Sequence, residues 1–157
     1  DPGVARSATV LPAGALVTDQ QLPDSPAPVR PVGRYLHEPD GAVIRAGLVA
    51  AVVRQVDGWL IDPQIAYISG DSVVSSPFLS SYEVLDVMPF SLKRLRTYLR
   101  ERNVGRVVIK KRGSAVEVDE LDRSLRLDRS ASGQRTVVLT RLGDDPTVVI
   151  CQARRSW

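Results

Sequence analysis

The stretch YEVLDVMPFSLKRLRTYLRERNVGRVVIKKRG, residues 82–113, decides how the chain folds. Residues 82–88 alternate well enough for a half-buried strand, and Pro89 ends it. Ser91 then supplies an N-cap hydroxyl for a helix over LKRLRTYLRER. Leu92, Leu95 and Leu99 fall on one stripe of that helix, with Lys93, Arg94, Arg96 and Arg100 off it. Residues 104–109 form a second strand, with Val107, Val108 and Ile109 at its centre. That strand runs into Lys110, Lys111, Arg112 and Gly113. Three cations and a glycine at a strand end must face either water or an anion.

Downstream, residues 118–127 read as a helix with Val118, Leu121 and Leu125 inward. Residues 136–142 and 147–151 read as two strands joined through Gly143-Asp144-Asp145-Pro146, a hairpin signal. The order is therefore β-α-β-α-β-β. Strands alternating with helices predict an α/β fold, a sheet covered by helices, and the last hairpin makes that sheet mixed.

Upstream the signals are weaker. Residues 5–11 suggest a short strand. Residues 19–33, DQQLPDSPAPVRPVG, carry four prolines and no apolar period, the mark of an extended linker or surface strap. Glu38-Pro39-Asp40 opens a helix expected over residues 41–56, with Ile44, Leu48, Ala51 and Val52 at helical spacing and Gly58 as its stop. Residues 59–61 and 66–69 are short strand candidates, and 70–80 a serine-rich loop.

Composition narrows the function. The chain has 157 residues, 43 % hydrophobic and 25 % charged, enough for one medium domain or two small ones. No apolar run approaches the roughly 20 residues that span a bilayer, so no membrane partner is expected. A lone cysteine, Cys151 in TVVICQ, cannot form an internal disulfide; a reducing cytoplasm is the simplest setting, with Cys151 a buried small hydrophobe. The chain opens DPGV without a methionine and reads as a fragment, a processed product or a chain with foreign leading residues. Its net charge of +3 hides an asymmetry: residues 93–112 hold nine cations against Glu101, a window of +8 in a remainder of −5. Such a window points to a polyanion partner.

Catalytic chemistry has little to build on. His37 is the sole histidine, and HEPD, residues 37–40, reads as a turn and helix cap. A small enzyme using His37 with Glu38 or Asp40 is the least favoured reading. No glycine-rich phosphate loop and no metal-ligand spacing appear. The candidate anion site is Lys93, Arg94, Lys110, Lys111, Arg112 and Gly113, the glycine permitting close backbone approach. Arg96, Arg100 and Arg106 rank second. Aromatic residues are few, so an RNA partner would be held by shape and backbone contacts more than by base stacking.

Three runs, GRYLHEPDGAVIRAGL, DPQIAYISGD and LDVMPFSLKRLRTYLRERNVGRVVIKKRG, carry a resemblance to the C-terminal region of actinobacterial-type class I S-adenosylmethionine-dependent methyltransferases that end in a THUMP-like domain. VARSATVLPAG resembles the end of their catalytic domain. The resemblance implies this layout: 1–18 the tail of a methyltransferase domain, 19–33 a linker, 34–80 a helical and extended connecting module, 81–157 a THUMP-like α/β domain. It implies capture of structured RNA, tRNA included, for a catalytic domain lying elsewhere. S-adenosylmethionine would bind that other domain and no cofactor would bind here; the chain alone would not be an enzyme. The alternative is a structural or protein-interaction module that braces the methyltransferase domain.

Overall fold

The structure, a computed structural model, describes residues 3–153. Residues 1–2 of the expected leading piece and 154–157 of the expected last domain lie outside the described residues. The chain divides after Tyr82 into two units, each compact in itself.

In the first unit, β1 (Ser7–Val10) and β2 (Ala15–Thr18) form an antiparallel hairpin with Ser7 opposite Thr18. A single turn of 3-10 helix follows at Asp19–Gln21. The proline-rich strap then runs out to β3 (Tyr35–Pro39), α1 (Gly41–Arg45), α2 (Val49–Gln55), β4 (Trp59–Leu60) and β5 (Ile68–Gly70). Strand β5 lies between β4 and β3, antiparallel to both. The strap is tied down: Arg30 N–H donates to Leu60 O at 3.0 Å, Leu60 N–H to Pro28 O at 2.9 Å, and the Trp59 indole N–H to Pro31 O at 2.8 Å.

Ala8, Val10 and Val17 of the hairpin pack in one core with Val43, Leu48, Ala51, Val52 and Val53. The leading residues and the connecting module therefore share an interior. The helix expected over 41–56 is two helices. Asp40 caps the first, its carboxylate accepting Ala42 N–H at 2.9 Å. Gly47 then adopts φ +70°, a conformation that breaks the helical run and starts a new one. Strands β2 and β3 are not anticipated by the pattern. One is four residues long with a single fully buried side chain, and the other ends on the proline of HEPD.

The decisive stretch folds as its pattern predicts. Strand β6 (Leu79–Pro89) leads through Ser91 into α3 (Leu92–Glu101), β7 (Val104–Lys111), α4 (Val118–Leu125), β8 (Gly133–Leu142) and β9 (Asp145–Ala153). The spatial order is β6-β9-β8-β7, with β7 parallel to β8 and β8 antiparallel to β9. The α/β class, the mixed sheet and the β-α-β-α-β-β order all hold. Ser91 Oγ accepts Arg94 N–H at 3.3 Å, as an N-cap should.

Leu95 and Leu99 of α3 and Leu121 and Leu125 of α4 bury against Val104, Val137, Leu139, Val148 and Ile150. Each buried leucine contributes about 1.5–3 kcal/mol relative to exposure. Cys151 is wholly buried on β9, and burial pushes its thiol up to about 12.

The start of β7 carries a tight approach. A Cβ on Gly105 would collide with the backbone oxygens of Ala131 and Asp128, so the loop after α4 lies directly on that glycine. Gly105→Ala is expected to lower stability by about 1–3 kcal/mol, the usual cost of overpacking, measured by urea unfolding. Cys151 is expected to resist a maleimide in the native chain at neutral pH and to react once urea unfolds it, because a buried thiol is not a thiolate.

Candidate nucleic-acid interface

The cations expected at the end of β7 are placed by strand alternation. Val107 and Ile109 face the helices, whereas Val108 is 45 % exposed, so Lys111 and Lys110 point to opposite faces of the sheet. On the helix side, the Lys111 ammonium donates to Val116 O at 3.1 Å. Arg112 continues the ladder, its N–H donating to Leu139 O at 3.0 Å, and Gly113 turns the chain with φ +77°. Lys93 and Arg94 are exposed on the first turn of α3. Only Arg102 and Asn103 separate α3 from β7, so the helix runs back along the strand and its first turn lies toward the Lys111 end.

A larger basic site lies at the other end of this unit, where α3 and α4 finish and β7 begins. Two clefts adjoin there. One, of about 380 Å³, is lined by Arg96, Arg100, Arg126 and Asp128 together with Asn103 and Val104. The other, of about 570 Å³, is lined by Arg106, Arg123, Arg126, Arg129 and Asp122. Arg126 and Leu127 belong to both. Six arginines thus face two carboxylates, and neither wall holds an aromatic ring.

The local sequence explains the geometry. Helix α4 stops where Arg126 turns left-handed at φ +50°, and Asn103 does the same at φ +56° after α3. Asp128 stitches the following loop, its Oδ1 accepting Ser130 N–H at 3.0 Å and Ser130 Oγ–H at 2.6 Å; these bonds hold its carboxyl below the usual range. Gly133 N–H then donates to Asn103 O at 3.0 Å and closes the loop on the α3–β7 turn. Helix C-termini carry bare carbonyls and the negative end of the helix dipole, which suits cations. Arg96 uses this, donating through Nε at 3.1 Å and through Nη2 to Ser124 O. Among the described residues, the side chains of Arg100, Arg106, Arg123, Arg126 and Arg129 make no ion pair or hydrogen bond. Unneutralised guanidinium groups converging on a recess are what a phosphate chain requires.

Three of these residues, Arg96, Arg100 and Arg106, are the second-rank candidates of the sequence. Arg123, Arg126 and Arg129 are not among its candidates. Their signal is an arginine at every third position of DRSLRLDR, residues 122–129, which Asp122 and Asp128 mask in a count of window charge.

Elsewhere the polar groups serve structure. His37 is buried, with Nδ1 2.8 Å from Ser81 Oγ and its ring stacked on Tyr35 at 6.4 Å. Asp40 is the cap of α1. Among the described residues, no group of three or more His, Cys, Asp or Glu could hold a metal, and no helix is long and apolar enough to cross a membrane. Tyr98 donates its hydroxyl to Asp86 Oδ2 at 2.6 Å beneath the Arg102 guanidinium, 3.6 Å from the ring centroid. Partial burial, then the Asp86 bond, push the phenol up to about 12.

Comparison with known proteins agrees with the resemblance read from the residues. The family model described as THUMP domain-like matches residues 79–153. Two proteins of Mycobacterium tuberculosis, from strains CDC 1551 / Oshkosh and ATCC 25618 / H37Rv, are each described as an uncharacterized S-adenosylmethionine-dependent methyltransferase. Each is 40 % identical over 157 residues, 98 % of this chain and 42 % of the relative. The chain therefore spans about two-fifths of the length of the curated relatives it matches. A solved structure provisionally described as a methyltransferase from Porphyromonas gingivalis W83 matches with a TM-score of 0.74 at 16 % identity, over 90 % of this chain and 35 % of that one. At that identity it shows a shared fold.

The Tyr98 environment generates a pH prediction. Its folded pKa lies above the ordinary value of 10.0, so its contribution is complete below pH 10 and is lost as pH rises toward about 12. In Tyr98→Phe, the alkaline fall in stability between these values should be smaller than in the parent chain, read by urea unfolding at stepped pH.

Proposed function

We propose that this chain, THUMP domain-like over residues 79–153, is the RNA-capturing module of a longer S-adenosylmethionine-dependent methyltransferase. The observation that carries the proposal is the pair of arginine-lined clefts, with five guanidinium groups that make no ion pair or hydrogen bond among the described residues. Backbone phosphates are the ligand that such walls bind without reading sequence. Structured RNA, tRNA among its forms, offers phosphates at close spacing on a rigid shape. Lys93, Arg94, Lys111, Arg112 and Gly113 would add phosphate contacts at the far end of the same unit, with Lys110 on the opposite face of the sheet.

On this reading methyl transfer falls to another part of the longer protein, since the chain matches only 42 % of each relative. S-adenosylmethionine would bind there. A cytoplasmic setting accords with the single buried cysteine.

One observation favours a second reading. Leu11 and Leu16 of the β1–β2 hairpin are 79 % and 56 % exposed. Apolar surface of this kind suits a module that braces the rest of the methyltransferase.

Fluorescence anisotropy of the chain against mixed tRNA, titrated at several salt concentrations, separates the two readings. RNA capture predicts micromolar binding whose log–log salt slope is about −3 to −4 if about four phosphates are neutralised. Replacing Arg123, Arg126 and Arg129 together by alanine should weaken binding to all sequences and flatten the slope by about 3, near one for each phosphate no longer neutralised. Lys110→Ala with Lys111→Ala should flatten it by about 1, because the two side chains point to opposite faces of the sheet. No tRNA binding at low salt, together with tight binding to the separately produced methyltransferase domain, would establish the bracing role instead.

A further inference from the structure

We infer that Asp122 and Asp128 select ribose over deoxyribose, each accepting a 2′-hydroxyl from the backbone that the arginines hold. The inference rests on the RNA-capture reading and adds to it a residue-level source of selectivity. A pure phosphate site gains nothing from carboxylates, which repel the ligand. Yet each of the two clefts contains one. Neither is there to neutralise the neighbouring arginines, since neither makes an ion pair within 4.0 Å among the described residues.

Asp122 makes no hydrogen bond among the described residues and is exposed on α4. Asp128 commits Oδ1 to Ser130 and keeps Oδ2 for another donor. An ionised carboxylate only accepts hydrogen bonds, so its partner must be a donor. A splayed base stacked on an arginine plane could offer an amino group, but DNA would offer the same group, so that contact gives no preference for RNA. The sugar–phosphate backbone offers a donor of its own. Its one donor is the ribose 2′-hydroxyl, and DNA lacks it.

The test uses one stem-loop sequence made as RNA, as DNA and as 2′-O-methyl RNA, bound to the chain at fixed salt. The expected result is that RNA binds about a hundredfold more tightly than either analogue, about tenfold for each of two hydrogen bonds to a charged group. Asp122→Ala should narrow that gap, with DNA binding strengthened by the loss of repulsion. Asp128→Asn keeps an acceptor and the Ser130 turn; it should retain more of the preference than Asp128→Ala. That ordering separates hydrogen bonding from charge alone. Equal affinity for RNA and DNA in the parent chain would overturn the inference while leaving RNA capture intact, as would an undiminished preference in the double alanine variant. Failure to bind any of the three would overturn both.

Discussion

Four leucines hold the second unit together and set what its surface can be. Leu95, Leu99, Leu121 and Leu125 are at most 4 % exposed and clamp α3 and α4 onto the strands beneath. Because those positions are committed to the sheet, every cation on the two helices is forced to their outer faces and ends. Helix α3 stops three residues before β7 starts, and α4 stops where Arg126 turns left-handed. Both helices therefore finish beside the start of β7, and their arginines converge there. Gly105 completes the arrangement by letting the loop after α4 lie against the strand. The basic clefts are thus a consequence of core packing, one glycine and two tight helix ends.

The same constraint explains which parts of the fold are legible in the sequence. In the second unit the apolar spacing is strong and the sequence marks ends at Pro89 and Ser91 and at the Gly143-Asp144 loop. The class and the order of elements along the chain follow from these; the spatial order of the strands does not. The first unit is less legible. Its strands are two to five residues long, too short for alternation to separate them from turns, and its helix breaks at a glycine that a long apolar run conceals. The sharing of one core by residues 8–17 and 43–53 is a long-range contact, which local pattern does not encode.

The site is legible in part for a related reason. A charge window finds Arg96, Arg100 and Arg106, but it gives most weight to Lys110 and Lys111, which are adjacent in sequence and divided in space by the pleat of the strand. It passes over Arg123, Arg126 and Arg129, whose neighbouring aspartates cancel them in a sum although the fold forms no ion pair between them. Charge along a chain and charge across a surface are different quantities. The connection from α4 to β8 converts one into the other, and only the folded chain shows which cations share a recess.

Hydrogen exchange read by mass spectrometry on this chain, with and without tRNA at low salt, tests the central claim most directly. If the arginine clefts carry the RNA, slowed exchange will concentrate at the end of α3, the start of β7 and residues 122–132, with residues 3–78 unchanged. Protection confined to the first unit, or absent at residues 122–132 while RNA is bound, would contradict it.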